Sequence, residues 1–78
     1  MYWRAYSMTL NEYRIKLGWS RAKLAREAGV DVRTVRDALS GKPIYTATAG
    51  KIANAISRGL EKEITYEDIE GLNLADGQ

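Results

Sequence analysis

Apolar residues recur at helical spacing along most of the chain. Leu10, Tyr13 and Leu17 repeat at i, i+3 and i+7, which predicts a first helix from about Leu10 to Leu17 with one buried face. Thr9 and Glu12 stand at the spacing of a capping box, with Met8 and Tyr13 as its hydrophobic staple. Gly18 ends that pattern, Trp19 anchors the link and Ser20 caps the next helix. Leu24, Ala25 and Ala28 make a second stripe; Val35, Ala38 and Leu39 make a third. Gly41 ends the third helix, and Lys42-Pro43 marks a loop, because proline disfavours helix at the residue before it. Ile52, Ala53 and Ile56 share one face of a fourth helix, capped by Thr46 or Thr48 and closed at or just past Gly59. Thr65 and Asp68 repeat the capping-box spacing, with Ile64 and Ile69 as the staple. They predict a short fifth helix ending near Gly71. No segment alternates at the strand period over a useful length, and nothing repeats. The pattern therefore predicts an all-α compact bundle of five short helices in one domain, residues 8–72. An aromatic-rich arm or leader precedes it (1–7), and a frayed C-terminus comes after it (73–78).

The most constrained part of this pattern is Arg21 to Ser40. Two helices joined by a turn of three or four residues containing glycine form a helix-turn-helix, whose second helix reads DNA. The helices cross steeply, so the residue at the crossing must be small, and Ala25 is. The chain must reverse at once, and Gly29 adopts positive φ without a Cβ penalty. Asp31 then accepts backbone N–H groups as the N-cap of the second helix. Leu24, Val30 and Val35 hold the pair against a common core. Two ordinary packed helices with a glycine C-cap would not need all of these residues in register.

Charge adds a direction. Residues 1–58 carry 11 Lys+Arg against 4 Asp+Glu, and residues 59–78 carry 1 against 6. A body of net +7 with an end of net −5 suggests an anionic partner met by the first four-fifths of the chain. Glu61, Glu63, Glu67, Asp68 and Glu70 would repel such a partner, so the fifth helix is expected to point away from it. Those acids lack the spacing of a calcium loop. The chain has no histidine and no cysteine, which removes imidazole bases, thiolate nucleophiles, disulfides and the usual zinc ligands. Gly50-Lys51 is followed by Ile52 rather than Ser or Thr, so it is not a phosphate loop. No enzyme activity, cofactor, metal or small-molecule ligand is expected. No apolar run approaches the roughly 20 residues of a membrane span, and no signal peptide is visible. A cytoplasmic location is the corresponding expectation.

The order of these pieces resembles the Cro/CI-type (XRE-like) helix-turn-helix family of phage and bacterial repressors. Ser20-Arg21, Leu24-Ala25, Gly29-Val30 and Val35 carry the likeness, with Lys51 to Ile56 similar to the family's fourth helix and Ile64 to Ile69 to its closing one. The resemblance covers about residues 8 to 72. It implies a lambda-repressor-like fold and sequence-specific binding to double-stranded DNA, usually as a homodimer on a two-fold operator. It also implies transcriptional control, in a bacterial or phage-encoded protein associated with the nucleoid. Three departures stand out. Arg21 occupies a place where the family often has Gln. Leu39 stands where an acidic partner for an arginine like Arg14 is common, which leaves Arg14 to solvent, a phosphate or Asp37. The link from Ile56 to Ile64 is longer than usual, which leaves either a longer fourth helix or an altered dimer surface.

Within that resemblance each outward residue has a role. Val35, Ala38 and Leu39 face inward, so Val32, Arg33, Arg36 and Asp37 face outward. The family places Val32, Arg33 and Asp37 at base-reading positions, with Arg36 beside them. An arginine there pairs with guanine O6 and N7, Val32 touches a thymine methyl, and Asp37 either accepts from cytosine N4 or orients Arg33 as an i,i+4 pair. Ser20, Arg21 and Lys23 at the start of helix 2, with Ser40 and Lys42 after helix 3, are the expected phosphate contacts. The other class of function is a protein interaction module or antitoxin-like partner on the same fold. The aromatics Tyr2, Trp3, Tyr6 and Tyr45 speak for that reading.

Overall fold

Helices form where the apolar stripes predict them. The computed structural model describes residues 8–76, so the N-terminal arm 1–7 and the last two residues lie outside the described residues. The α-helices are α1 (Leu10–Leu17), α2 (Arg21–Ala28), α3 (Val32–Leu39) and α4 (Thr46–Leu60). Around them are four two-residue strands, β1 (Met8–Thr9), β2 (Pro43–Ile44), β3 (Ile69–Glu70) and β4 (Asn73–Leu74), and one 3-10 turn at Tyr66–Asp68.

The caps explain the boundaries. The Thr9 hydroxyl accepts from the Glu12 amide at 3.1 Å, and Glu12 Oε1 accepts from the Thr9 amide at 2.9 Å. This is the reciprocal capping box read from the sequence. Gly18 and Gly29 end α1 and α2, each with φ 73°, in the left-handed region that a Cβ makes costly. Val30 N–H closes the turn after α2 on the Ala25 carbonyl at 3.0 Å.

Leu24, Val35, Ile52 and Ile56 are fully enclosed at the centre of the core. Leu10, Tyr13, Ala25, Ala28, Ala38, Ile44, Ala49, Ala53, Ala55 and Ile69 complete it. The small residues matter as much as the large ones. Ala25 is buried in α2, the helix against which α3 and α4 both pack. Gly59 lets α4 approach its neighbours: a Cβ there would stand 2.7 Å from Leu17 Cδ2 and 2.9 Å from the Trp19 ring. Gly59 is thus a packing residue inside α4, which runs on to Leu60, and it does not close the helix. The C-cap is Glu61, at φ 58°. The longer link after Ile56 therefore lengthens the fourth helix. Ser57 fastens the segment beyond α4, since its hydroxyl oxygen accepts from Ile64 N–H at 2.8 Å. The same oxygen lies 2.8 Å from the Ile64 carbonyl and 2.9 Å from that of Ala53.

Three expectations fail, each through contacts distant in sequence. The fifth helix is a single 3-10 turn, so the described residues hold four α-helices. Thr65 N–H does donate to Asp68 Oδ2 at 2.9 Å, so the capping signal is used. The chain then leaves helical geometry because Ile69 and Glu70 pair in parallel with Met8 and Thr9. A nucleus of one turn has little to set against a sheet pairing. The second failure concerns the C-terminus. Asn73 and Leu74, expected to fray, pair in parallel with Pro43 and Ile44, and Ala75 N–H donates to the Ile44 carbonyl at 2.7 Å. Strands of two residues are too short to show a period, so neither pairing was visible in the pattern. Third, neither threonine caps α4. The N-cap position is Tyr45, which makes no side-chain cap bond. Asp76 fills the role from the far end of the chain. It accepts from Thr46 N–H at 3.3 Å and from the Thr46 hydroxyl at 2.6 Å.

Candidate nucleic-acid interface

The outward side of α3 is built by its own amphipathicity. Val35 and Ala38 are buried, which turns Val32, Arg33 and Arg36 to solvent. Val32, at the start of the helix, is 46% exposed. Asp31 fixes that start: its Oδ1 accepts from Arg33 N–H at 3.0 Å. Asp37 and Leu39 are half-buried at the rim. The expected Arg33–Asp37 pair does not form among the described residues. Both arginine side chains of α3 thus extend without a partner among those residues, free for a ligand.

The start of α2 is more divided. The Ser20 oxygen accepts from Lys23 N–H at 3.0 Å, capping the helix. Arg21 beside it is exposed, and the first turn holds no acid. Its two cations face the positive end of the helix dipole, a mismatch of about 0.3–1 kcal/mol each that a bound anion would relieve. Lys23, however, is engaged within the protein. Its Nζ lies 3.0 Å from Glu27 Oε2 and 5.9 Å from the centroid of the Trp19 ring. The Glu27 carboxyl titrates below its ordinary value, first through that hydrogen bond and the charge of Lys23, with Arg58 and Arg26 adding to them and desolvation opposing. Among the described residues Arg21 is therefore the free cation of this turn and Lys23 the tethered one.

Beyond α3 the loop carries Ser40 and Lys42. The Ser40 hydroxyl donates to the Asp37 carbonyl at 3.1 Å, so its proton serves the helix end. Lys42 N–H donates to the same carbonyl at 2.9 Å, while the Lys42 side chain is exposed. The acidic end of the chain is not wholly remote from this loop. Glu70 lines a shallow hollow of about 320 Å³ with Thr9, Asn11, Leu39, Ser40 and Gly41. The β1–β3 pairing carries it there, against the expectation that the acids all point elsewhere.

Among the described residues Arg14 does not pair with Asp37. Its Nη1 donates to the Trp19 carbonyl at 3.0 Å and its Nη2 to Asn11 Oδ1 at 2.7 Å. With Leu39 in the acidic partner's place, the guanidinium binds the α1–α2 link instead, and its buried Nε has no partner among the described residues. Two further residues lie beside this surface: Arg58, which the sequence pattern does not single out, and Tyr45, which speaks there only for a protein interface. Arg58 of α4 donates to the Glu27 carbonyl at 2.7 Å, setting a cation against the C-terminal end of α2. Tyr45, noted only as an aromatic, is 66% exposed directly after the loop that bears Lys42. Neither has a sequence signal beyond residue type, since both depend on how α4 lies against the motif.

Among the described residues, no helix is long and apolar enough to cross a membrane. A helix-turn-helix family model matches residues 10–66, from the first residue of α1 into the 3-10 turn. No curated protein and no solved structure matches the chain. With its packed α2–α3 pair, its glycine turn and that match over most of its length, the chain belongs to the Cro/CI-type (XRE-like) helix-turn-helix family of DNA-binding transcription regulators.

Proposed function

We propose that this protein is a sequence-specific repressor on a lambda-repressor-like scaffold that places α3 in the major groove of double-stranded DNA. The observation that carries the reading is the outward side of α3. Val32, Arg33 and Arg36 are exposed together, and neither arginine has a side-chain partner among the described residues. Two uncompensated guanidinium groups beside an exposed valine suit base edges and a thymine methyl. Arg33 is the principal base reader, with Arg36 beside it and Asp37 in the lesser role of accepting from cytosine N4. Arg21, the Ser20 hydroxyl and Lys42 hold the backbone on either side. Ser40 and Lys23 are weaker candidates, because the Ser40 hydroxyl and the Lys23 ammonium already donate within the protein, whereas the Ser20 hydroxyl accepts there and keeps its proton to donate. A module of this kind buries only about 600–1,000 Å² on DNA, which favours two copies acting as a homodimer on a two-fold operator.

Selection from a random duplex library tests this, followed by two variants on the selected site. Arg33→Ala is expected to relax preference at one base position, at a cost of about 1–3 kcal/mol for the preferred base, while Lys42→Ala weakens every sequence alike. Equal losses on all sequences for both variants would show that the roles are misassigned. A second reading, a protein interaction module or antitoxin-like partner, draws on the exposure of Ile15 (62%) and Tyr45 (66%). Binding to duplex that weakens steeply with salt is expected of the first reading and absent from the second.

A further inference from the structure

The C-terminal residues 73–76 run along the loop that comes after α3 and touch it almost residue by residue. Asn73 Nδ2 lies 3.4 Å from the Gly41 carbonyl. Asn73 and Leu74 pair with Pro43 and Ile44. Ala75 N–H donates to the Ile44 carbonyl at 2.7 Å. Asp76 then caps α4 through Thr46 N–H and the Thr46 hydroxyl. These contacts of the strap fall on residues 41–46, between the recognition helix and α4. Without it the loop would be held by its own turn at Gly41 (φ 83°), by Lys42 N–H and by the burial of Ile44.

We infer that the strap is a positioning element for DNA binding, with Asp76 as its key residue: it sets the loop so that Lys42 meets the phosphate backbone. The inference rests on the DNA-binding reading and adds to it a part played by a segment that touches no DNA. Two features support it. The capping oxygen of α4 comes from outside the loop, so the loop and the helix start are fixed relative to the C-terminal strand and not only to each other. Asp76 also brings a carboxylate to the start of α4, four residues beyond Lys42, the residue assigned to the phosphate backbone. Such a charge is an electrostatic cost, which its geometric role offsets. A capping oxygen alone would be supplied more simply by Ser, Thr or Asp at position 45, where the chain has Tyr.

The two contributions of Asp76 can be separated. Asp76→Asn keeps an acceptor oxygen and removes the charge; Asp76→Ala removes both. Affinity for the selected duplex and for a random duplex is measured for each variant, alone and combined with Lys42→Ala, beside the melting temperature. Asp76→Ala is expected to weaken both duplexes about fivefold, the order expected for forfeiting the Lys42 phosphate contact. Asp76→Asn is expected to bind as well as the parent or better. In the double variant the two losses should be less than multiplicative, because a misplaced loop has already forfeited the Lys42 contact. Losses that multiply, or an Asp76→Ala protein that melts lower yet binds unchanged, would overturn the inference and leave Asp76 a stability residue only. If the unaltered protein shows no salt-sensitive duplex binding, the DNA-binding reading itself fails, and that outcome is distinct from both.

Discussion

At the start of α2 the capping oxygen comes from the adjacent residue, Ser20; at the start of α4 it comes from Asp76, 30 residues away. The two helix ends offer the same backbone N–H groups and the same positive end of a dipole. At α2 the cap is neutral, Arg21 and Lys23 stand in the first turn, and no acid is present there. At α4 the first turn has no charged residue of its own, and a carboxylate from the protein fills the place an anion would take. One end is left under-neutralised and the other is satisfied from within. An external phosphate would gain more from the first than from the second, in keeping with the phosphate role proposed for the start of α2.

Charge reversal at the open end should break this comparison most visibly. Arg21→Glu replaces a cation that opposes the dipole with an anion that favours it, so the fold is expected to gain about 0.3–1 kcal/mol while duplex binding falls by about tenfold or more. Chemical denaturation and a duplex titration at several salt concentrations measure the two effects. A variant that loses both stability and binding would mean that Arg21 serves the fold. The next effect in size is that of the cap. Ser20→Ala is expected to cost about 1 kcal/mol, lowering the melting temperature by about 4–8 °C. An unchanged melting temperature would show that water serves as well as Ser20 at this end. The smallest effect concerns Glu27, the acid that tethers Lys23. Its pKa is depressed in the folded protein, so its contribution to stability is full above the ordinary value of 4.5 and is lost as pH falls through the folded value. Glu27→Gln should therefore match the parent in strong acid and be slightly less stable near neutrality. It should also bind duplex slightly more tightly, because it adds a freed Lys23 to the open end. A pH series of melting curves would reveal either result, and an unchanged pH profile would show that the pair contributes nothing.

What the sequence revealed and what it hid divide along the reach of the contacts. Thr9 with Glu12, Gly18, Gly29 and Asp31 act within one turn, so the limits of α1, α2 and the start of α3 could be read from spacing. The outward side of α3 was legible from the inward positions of Val35 and Ala38. The tethering of Lys23 was also within reach, since Glu27 lies at i+4, a spacing that commonly forms a pair. The cap of α4 was not, because nothing near Thr46 announces an aspartate 30 residues on. The fifth helix misled for the same reason. Thr65 and Asp68 do interact, but Met8 and Thr9 draw the next residues into a sheet pairing. That pairing also carries Glu70 to the end of α3, a juxtaposition no local pattern contains.

The grip of Arg14 on the α1–α2 link has a consequence for the conditions the protein tolerates. A carboxylate partner would release its arginine on protonation in acid and would be weakened by added electrolyte. The oxygens that hold Arg14 belong instead to the Trp19 main chain and the Asn11 amide, and neither ionises. This junction should therefore stay fastened both in acid and in brine, unlike a carboxylate pair, which acid discharges and added electrolyte screens.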